Sequence, residues 1–164
     1  MTHLYTTMKS IIALYWLTAA RAEFAKPSDW RAWADKLVVS MPAPPLWVIS
    51  MSLAMNLTEL RKALEDALDV LKDVAPALVD DALIGYFWLR FERHEINLRD
   101  CLKLIGEAAD AGSSSISCEA AFALLNDLEN NNQNQENVAV RAKELLSPFR
   151  RLAEGQWMEV KSCV

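Results

Sequence analysis

The order of hydrophobic and polar residues along the chain predicts a succession of helices. The most apolar stretch, Ala82 to Phe91 (ALIGYFWLRF), follows Pro76 at a spacing that suits a helix start, and it runs into a charged segment. So aromatic a run is also compatible with a buried strand, but its length favours a helix because strands seldom exceed about ten residues. We therefore predict a helix from Ala77 to about His94 that is buried on nearly all sides, with the other helices packed around it.

Three helices are predicted in the first third of the chain. Apolar residues three, four or seven positions apart predict a first helix from Leu4 to Ala25, which ends before Pro27. Ser28 is a suitable N-cap for a second helix. Pro45 can open a short third helix, and we expect this helix to be buried because serines are its only polar residues.

The fourth predicted helix is the clearest amphipathic segment. Asn56 and Glu59, three residues apart, resemble the capping box that starts many helices. One side of this helix is a row of leucines at helical spacing, comprising Leu57, Leu60, Leu64, Leu68 and Leu71. The other side has acidic residues seven positions apart, which predicts a solvent-facing surface.

Two helices and a loop follow the central apolar helix. Asn97 is a suitable N-cap for a sixth helix, and Gly112 is placed where a helix-ending glycine is expected. Ser117 begins a seventh helix, in which Phe122 is among the apolar residues. The run from Asn130 to Gln135 has neither periodicity nor apolar residues, which predicts a flexible loop.

A last helix is predicted from about Asn137, bent or restarted at Pro148 and ending near Gly155. No repeat of fixed length recurs along the sequence, so a regular solenoid is not expected. The 164 residues are enough for one hydrophobic core and too few for two comfortable domains. The predicted fold is therefore all-α, a single globular domain over residues 1–164 with about seven or eight helices around a central apolar helix.

Composition narrows the class of protein further. Hydrophobic residues make up 52% of the chain and charged residues 24%, which excludes a disordered chain. Four glycines are too few for a hairpin-rich β protein or for a glycine-built phosphate site. The cysteines, Cys101, Cys118 and Cys163, are odd in number and form no CxxC pair, which favours the reducing cytoplasm.

The segment from Lys9 to Ala22 has the outline of a secretory signal with a small-residue cleavage site. Only one cation precedes its apolar run, and polar and aromatic residues interrupt that run, so we favour a helix of the folded protein. No stretch reaches the roughly 18 apolar residues that a membrane span needs. We therefore expect a cytoplasmic protein without membrane association.

Catalytic and metal-binding patterns are not recognisable in the sequence. With two histidines and no metal-ligand spacing among the cysteines, we predict no metal and no cofactor. Arg90, Arg93 and His94 share a helical stripe and could hold an anion, but cations in a last helical turn also complement the helix dipole, and we favour that structural role. We predict that the chain is not an enzyme.

Six tryptophans could suggest a surface for stacking bases or sugars, but most of them lie within apolar stripes and are expected in the core. Trp30 and Trp157 are less clearly placed. An apolar groove near either of these two tryptophans would suit a helical adaptor or regulatory subunit.

The acidic residues are concentrated in the middle of the chain. The net charge is −5, and residues 58–135 contain 15 acidic and 7 basic residues. Such a field repels nucleic acid and anionic membranes and favours a basic protein partner. The predicted partner-binding residues lie on the fourth helix and the turn into the fifth, and they are Glu59, Asp66, Asp69, Asp73, Asp80 and Asp81. The alternative for these residues is an ordinary solvated helix face.

In its small size, its acidity and its lack of catalytic motifs, the chain resembles the bacterial immunity proteins that neutralise a cognate toxin, especially the nuclease toxins of contact-dependent growth inhibition systems. The resemblance covers general character over the whole chain. It implies a cytoplasmic inhibitor that binds one toxin domain tightly and does no chemistry. The alternatives are the helical adaptor and, third, an enzyme that uses Arg93 and His94; the oligomeric state stays open.

Overall fold

The structure, a computed structural model, describes residues 2–68, 76–130 and 135–163, with the backbone alone for residues 2–10, 66, 76 and 77. Within these residues the chain forms eight α-helices and no strand, which confirms the predicted all-α class. The helices are α1 (Thr2–Arg21), α2 (Pro27–Ser40), α3 (Leu46–Leu53), α4 (Leu57–Leu68), α5 (Pro76–Glu92), α6 (Leu98–Ala111), α7 (Cys118–Asn130) and α8 (Gln135–Ser162).

The contacts between residues divide the chain into two compact units. Unit 1 comprises Met1–Val74 and Gln156–Val164, so it contains α1 to α4 and the last part of α8. Unit 2 comprises Ala75–Gly155, with α5, α6, α7 and the larger part of α8. That the whole chain is one globular domain stays a prediction, and each unit is described by its own contacts.

Aromatic side chains fill the core of unit 1. The ring of Trp16 meets the edges of Trp33 and Trp157 at centroid distances of 5.6 and 5.3 Å, and Phe24 meets Trp157 at 5.1 Å. Trp33 also stacks on Trp47 at 6.0 Å. We call these five residues the aromatic cluster. Edge-to-face pairs at such distances stabilise a core beyond the area they bury, so the predicted core role of Trp16 and Trp33 is confirmed, while Trp47 is half-buried.

Hydrogen bonds between neighbouring residues determine where α2 and α4 of unit 1 begin. α2 begins at Pro27, so the N-cap is Lys26, and the prediction that Ser28 caps this helix is wrong. Proline suits the first helical position because its missing N–H would have no partner there. Asp29 Oδ2 accepts a hydrogen bond from the Lys26 backbone N–H at 3.1 Å, which closes the first turn. The N-cap of α4 is confirmed, since Asn56 Oδ1 accepts from the Glu59 N–H at 3.0 Å, but the Glu59 carboxylate accepts from the Met55 N–H at 2.8 Å in place of the Asn56 N–H of a full capping box.

The prediction that α3 is buried is wrong for one of its two sides. Val48 and Met51 are buried, and α3 packs on α2 and α4. Leu46, Ile49 and Leu53 point to solvent from the other side. Because both sides of this short helix are apolar, its sequence could not indicate which side packs.

In unit 2, α5 is the buried helix that its sequence predicts. Every residue from Ala82 to Leu89 is buried, and α5 packs on α6. Gly85 allows α8 to approach closely, because a Cβ at this position would lie 2.0 Å from the Phe149 carbonyl oxygen. Asn97 caps α6 as predicted, with its Oδ1 accepting from the Asp100 N–H at 2.8 Å. The predicted inward-facing residues of α6, Leu98, Cys101, Leu102 and Ile105, are all buried.

Helix α8 is longer than its sequence predicts. It continues through Pro148 and Gly155 to Ser162, so the predicted end near Gly155 is wrong. Buried residues recur along it beyond the proline, among them Phe149, Ala153 and Val160. Their burial offsets the cost of a proline inside a helix, which removes one backbone hydrogen bond. Of the predicted loop from Asn130 to Gln135, residues 131–134 lie outside the described residues, Asn130 belongs to α7 and Gln135 to α8.

Two helices end in a left-handed residue that is not glycine. His94 has φ 58°, and its N–H donates to the Phe91 carbonyl at 2.9 Å, while the Glu95 N–H donates to the Arg90 carbonyl at 3.0 Å. This pair of bonds is the Schellman motif, in which the left-handed position favours glycine. Glu23, with φ 56°, takes the corresponding place after α1.

Replacing His94 by glycine is expected to stabilise unit 2 by roughly 0.5–1 kcal/mol, since glycine adopts positive φ without the clash of a Cβ. The measurement is urea denaturation followed by circular dichroism. His94→Ala is the matched control, because it removes the imidazole and keeps the backbone strain. Equal stability of the two variants would contradict a strained backbone at this position.

Candidate partner-binding site

Glu59, the first of the predicted partner-binding residues, lies exposed in the first turn of α4. Its carboxylate accepts hydrogen bonds from the Met55 N–H at 2.8 Å and from the Asn56 side-chain amide at 2.9 Å. The side chain therefore helps to start the helix. Because the carboxylate already accepts two hydrogen bonds within the chain, it would bind a cation of a partner less strongly than a carboxylate without such bonds.

The other predicted residues of the α4 surface cannot be placed as a group. Asp66 belongs to α4, but its side chain is outside the described part of the structure, and Asp69 and Asp73 lie outside the described residues altogether. Their convergence on one surface stays a prediction.

Asp80 and Asp81 on α5 hold the turn between α6 and α7. Asp80 Oδ2 accepts from the Ser113 N–H at 2.7 Å. Asp81 accepts from the Ser114 hydroxyl at 2.8 Å and from the backbone N–H and hydroxyl of Ser115 at 2.7 and 2.8 Å. Both carboxylates thus accept hydrogen bonds from N–H and hydroxyl groups of the turn, which would otherwise donate to water. We expected both residues at the turn into the fifth helix, whereas they lie within α5 and bind the turn that precedes α7. Their binding of a partner stays a prediction.

The acidic charge belongs to unit 2. This unit has thirteen acidic and eight basic residues and accounts for the whole net charge of −5, while unit 1 has nine of each and is neutral. Within unit 2 the packed pair of helices α6 and α7 has only two basic residues, Arg99 and Lys103. Its six acidic residues are Asp100, Glu107, Asp110, Glu119, Asp127 and Glu129. We call these six residues the α6–α7 acidic surface.

A groove lies along this surface. One part of it, with a volume of about 430 Å³, is lined by Phe122 and Leu125 between charged residues of α6 and α7. A second part of about 560 Å³ adjoins Leu98 and Leu128. Arg99 and Glu129 line both parts and form an ion pair at 2.7 Å. The groove is therefore lined by apolar and charged side chains together.

Phe122 is the apolar residue of this groove that is most available to a partner. It is one of the apolar residues that predicted the seventh helix, and 40% of its surface is exposed. Its ring lies over Gly106, where a Cβ would come within 2.7 Å of a ring carbon. A rigid aromatic side chain that is partly exposed among charges is typical of an interface anchor.

The acidic middle of the chain includes all of α6 and α7, whereas the predicted site lies on α4, where acidic residues are spaced by seven. Which two helices pack side by side depends on contacts distant in sequence, so the groove could not be predicted.

Arg90 and His94 of the predicted cluster with Arg93 make structural contacts at the end of α5. Arg90 lies 3.6 Å from the Glu95 carboxylate, and His94 forms the left-handed end of α5. The neighbouring Glu92 accepts from Trp88 Nε1 at 3.1 Å and from Arg150 Nε at 2.8 Å. The hydrogen bond that Arg150 donates to Glu92 raises the pKa of Arg150, and the negative charges of Glu92 and Glu154 raise it further.

Cys101 is buried, and the metal-binding residue types are not grouped in the described part of the chain. Burial raises the pKa of the Cys101 thiol to about 12, so it stays protonated at neutral pH and is a poor nucleophile. Among the described residues, no three histidine, cysteine or acidic side chains are grouped as metal ligands. No described helix is both long enough and apolar enough to cross a bilayer.

The tryptophans proposed to border an apolar groove belong to unit 1. Trp30 is fully buried, and its Nε1 donates to the Ala54 carbonyl at 3.0 Å, so it is a core residue. Trp157 is half-buried in the aromatic cluster, with Lys161 Nζ at 4.9 Å from its ring centroid. Lys161 also pairs with Asp29 at 2.8 Å. These contacts tie the end of α8 to α2 and leave Trp157 with little surface for a partner.

Comparison of the chain with models of protein families, with curated proteins and with solved structures gives no match.

Proposed function

We propose that this chain is a protein-binding inhibitor that acts in the cytoplasm and neutralises a basic partner, a bacterial toxin domain such as a nuclease. The observation that carries the proposal is the groove beside the exposed phenylalanine Phe122, which is lined by three residues of the α6–α7 acidic surface, Asp100, Glu107 and Glu129, together with Arg99 and Lys103. The resemblance to immunity proteins of contact-dependent growth inhibition systems supports the same function.

Charge on this surface serves recognition in two ways. An acidic surface attracts a basic one over several ångströms and speeds association, and this effect weakens as salt rises. Enzymes that cleave nucleic acids need basic active sites to bind phosphates, so a protein that covers such a site with carboxylates blocks the substrate. No catalytic residue is needed for inhibition by coverage, which is consistent with the structural roles of Arg90, His94 and Cys101.

The apolar side chains of the groove supply the part of the affinity that does not depend on salt. Phe122 and Leu125 can take up an apolar side chain of the partner, while the carboxylates that line the groove pair with its cations. The ion pair of Lys103 and Glu107 is 3.8 Å long and exposed, so a cation of the partner can replace Lys103 at little cost.

Reversing two charges of the α6–α7 acidic surface is expected to slow association with the partner at least about tenfold at low salt. The test variant carries Glu107→Lys and Asp110→Lys. The matched control carries Glu136→Lys and Glu144→Lys on α8 of the same unit, and it changes the net charge equally. The partner is first captured from the native cells with the tagged protein and identified by mass spectrometry, and association rates are then measured by surface plasmon resonance at several salt concentrations.

The pattern of effects decides between the surfaces. Equal slowing by both double variants would mean that net charge alone acts and would contradict a site on α6 and α7. A triple reversal of Asp66, Asp69 and Asp73 tests the α4 surface in the same way. A partner that is retained unchanged at high salt would favour the helical adaptor over the inhibitor.

A further inference from the structure

The groove of α6 and α7 has two parts that meet at one ion pair. Phe122 and Leu125 line the first part, of about 430 Å³, and Leu128 lines the second, of about 560 Å³. Arg99 and Glu129 line both parts and pair at 2.7 Å, with 70% of the Arg99 side chain exposed. An exposed ion pair contributes little stability and can be exchanged for another. The groove therefore offers two apolar positions with a replaceable charge where they meet.

The two apolar positions are about two helical turns apart. Phe122 and Leu128 are six positions apart in α7, which corresponds to about 9 Å along the helix axis. In a second helix lying along α7, side chains seven positions apart share one face at a separation of about 10.5 Å. A side chain three or four positions after the first lies between them on the same face. One face of a helix can therefore supply an apolar side chain to each part and a charge to the ion pair.

The groove offers an incoming segment side chains and few free backbone groups. Its lining residues belong mainly to α6 and α7, and backbone N–H and C=O groups inside a helix are bonded to each other. The described residues form no strand, so they provide no sheet edge that an extended segment could join. An extended segment would bury backbone groups without partners, whereas a helix satisfies its own. The groove therefore favours a helical occupant.

The charges that line the groove favour a basic occupant. Acidic residues outnumber basic ones in its first part, which is lined by Asp100, Glu107 and Glu129 and by Arg99 and Lys103. Over α6 and α7 together, the acidic residues number six and the basic ones two. A cation of the occupant that displaces Arg99 meets the Glu129 carboxylate where the two parts join. The matching charge on the occupant is therefore positive.

We infer that the groove binds a basic amphipathic helix of the partner. Two apolar side chains seven positions apart enter the two parts, and an arginine or lysine between them pairs with Glu129. The inference rests on the proposed function, and it names the kind of segment by which the partner is held. It requires one face of the helix in one register, which a general attraction between opposite charges does not require.

Gly106 of α6 sets the position of the Phe122 ring in the groove. A Cβ at Gly106 would lie 2.7 and 2.8 Å from two carbons of this ring, so alanine there must push the ring aside. Because the ring is partly exposed, it can turn towards solvent without moving either helix. Gly106→Ala therefore changes the shape of the first part and leaves every charge of the groove in place.

The test uses a synthetic helical peptide of about 16 residues, rich in alanine and lysine, with two leucines seven positions apart and an arginine midway between them. A control peptide has the same composition, but one leucine is moved by two positions to the opposite face of the helix. Binding to the isotope-labelled whole chain is followed by NMR chemical shifts up to about 1 mM peptide. We expect a dissociation constant of about 100 µM for the test peptide, shifts concentrated on α6 and α7, and at least tenfold weaker binding of the control peptide.

Variants of the chain test the fit of the peptide. Phe122→Ala and Gly106→Ala should each weaken its binding at least about fivefold, the second without loss of stability to urea. Glu129→Gln should weaken binding of the test peptide and leave unchanged the binding of a peptide whose central arginine is replaced by glutamine. Val140→Ala is the matched control and should leave binding unchanged, since it alters an exposed apolar residue of the same unit outside the groove.

Three results would overturn the inference. The first is no binding of the test peptide up to about 1 mM. The second is equal binding of the two peptides, because the face of the helix would then not matter. The third is binding that neither Phe122→Ala nor Gly106→Ala weakens, which would place the peptide elsewhere.

Failure of the helical mode can be told apart from failure of the proposed function. The captured partner is measured with the charge-reversal variant of Glu107 and Asp110 and, separately, with Gly106→Ala. Slower association with the first variant and an unchanged dissociation constant with the second would retain the inhibitor and exclude a helix in the groove. Weaker binding of the partner by Gly106→Ala, together with the peptide result, would support both.

Discussion

Gly85→Ala is expected to destabilise unit 2 by roughly 3 kcal/mol, at the upper end of what overpacking costs in a core. The added Cβ would lie 2.0 Å from the carbonyl oxygen and 2.6 Å from the carbonyl carbon of Phe149, and 2.8 Å from the Cβ of Ala153. Backbone atoms cannot turn aside as the end of a side chain can, so α5 and α8 must separate. Urea denaturation followed by circular dichroism measures the loss in the free energy of unfolding.

Gly155→Ala is the matched control, since the same substitution in α8 meets open space. No atom among the described residues lies within 4 Å of the added Cβ, and Gly155 lies inside the helix without positive φ. Alanine there should stabilise the protein by roughly 0.5–1 kcal/mol through helix propensity. If both substitutions changed stability in the same direction by similar amounts, close packing at Gly85 would be contradicted.

Trp33→Ala is expected to cost unit 1 roughly 4 kcal/mol, as is usual when a large aromatic side chain is removed from a core. Trp33 is buried, touches both Trp16 and Trp47 in the aromatic cluster, and donates from Nε1 to the Val160 carbonyl at 2.8 Å. Val160 lies in the last turn of α8, where carbonyl groups lack helical partners. The substitution removes the packing and the hydrogen bond together, and the loss is measured by urea denaturation.

Substitution by phenylalanine separates these two contributions. Trp33→Phe keeps most of the packing and leaves the Val160 carbonyl without its donor, at a cost of about 1–3 kcal/mol beyond the lost ring area. Trp16→Phe is the control in the same cluster, because no described atom accepts a hydrogen bond from Trp16 Nε1. It should cost less than Trp33→Phe. The reverse order would show that the hydrogen bond to Val160 contributes little.

Local signals in the sequence predicted the helices well. Asn56 and Asn97 cap α4 and α6, as predicted. Each asparagine oxygen accepts from the backbone N–H three residues later, so the cap depends only on neighbouring residues and can be predicted from the sequence. The buried run from Ala82 to Leu89 was predicted because a helix without a polar side has no place at the surface. Both predictions depend on a few consecutive residues.

The wrong predictions concern helix ends and helix sides, most of which depend on contacts between residues distant in sequence. A proline usually ends or bends a helix, but α8 continues beyond Pro148 because the burial of Phe149 and Ala153 stabilises the helical conformation there. The sidedness of α3 could not be predicted because both of its sides are apolar. Ser28 is not the N-cap of α2, because Pro27 suits the first helical position and the residue before it, Lys26, is then the N-cap.

The candidate site shows the same limit. The acidic middle of the chain was evident from composition, and both the residues predicted from the sequence and the groove on α6 and α7 lie within it. The role of Asp81 as an acceptor for Ser114 and Ser115 required knowledge of which turn lies beside α5. The groove at Phe122 likewise required the pairing of α6 with α7, which no local pattern specifies.

The division of α8 between the units has a consequence for the order in which the chain folds during its synthesis. All residues of unit 2 are continuous in sequence, so they leave the ribosome as one block. Unit 1 begins first but is completed last, because Trp157 and Val160 must emerge before they can contact Trp16 and Trp33. The tryptophans of α1 and α2 therefore stay exposed to solvent while unit 2 is synthesised and folds. We expect chaperones that bind exposed aromatic segments to act on α1 and α2 during this interval.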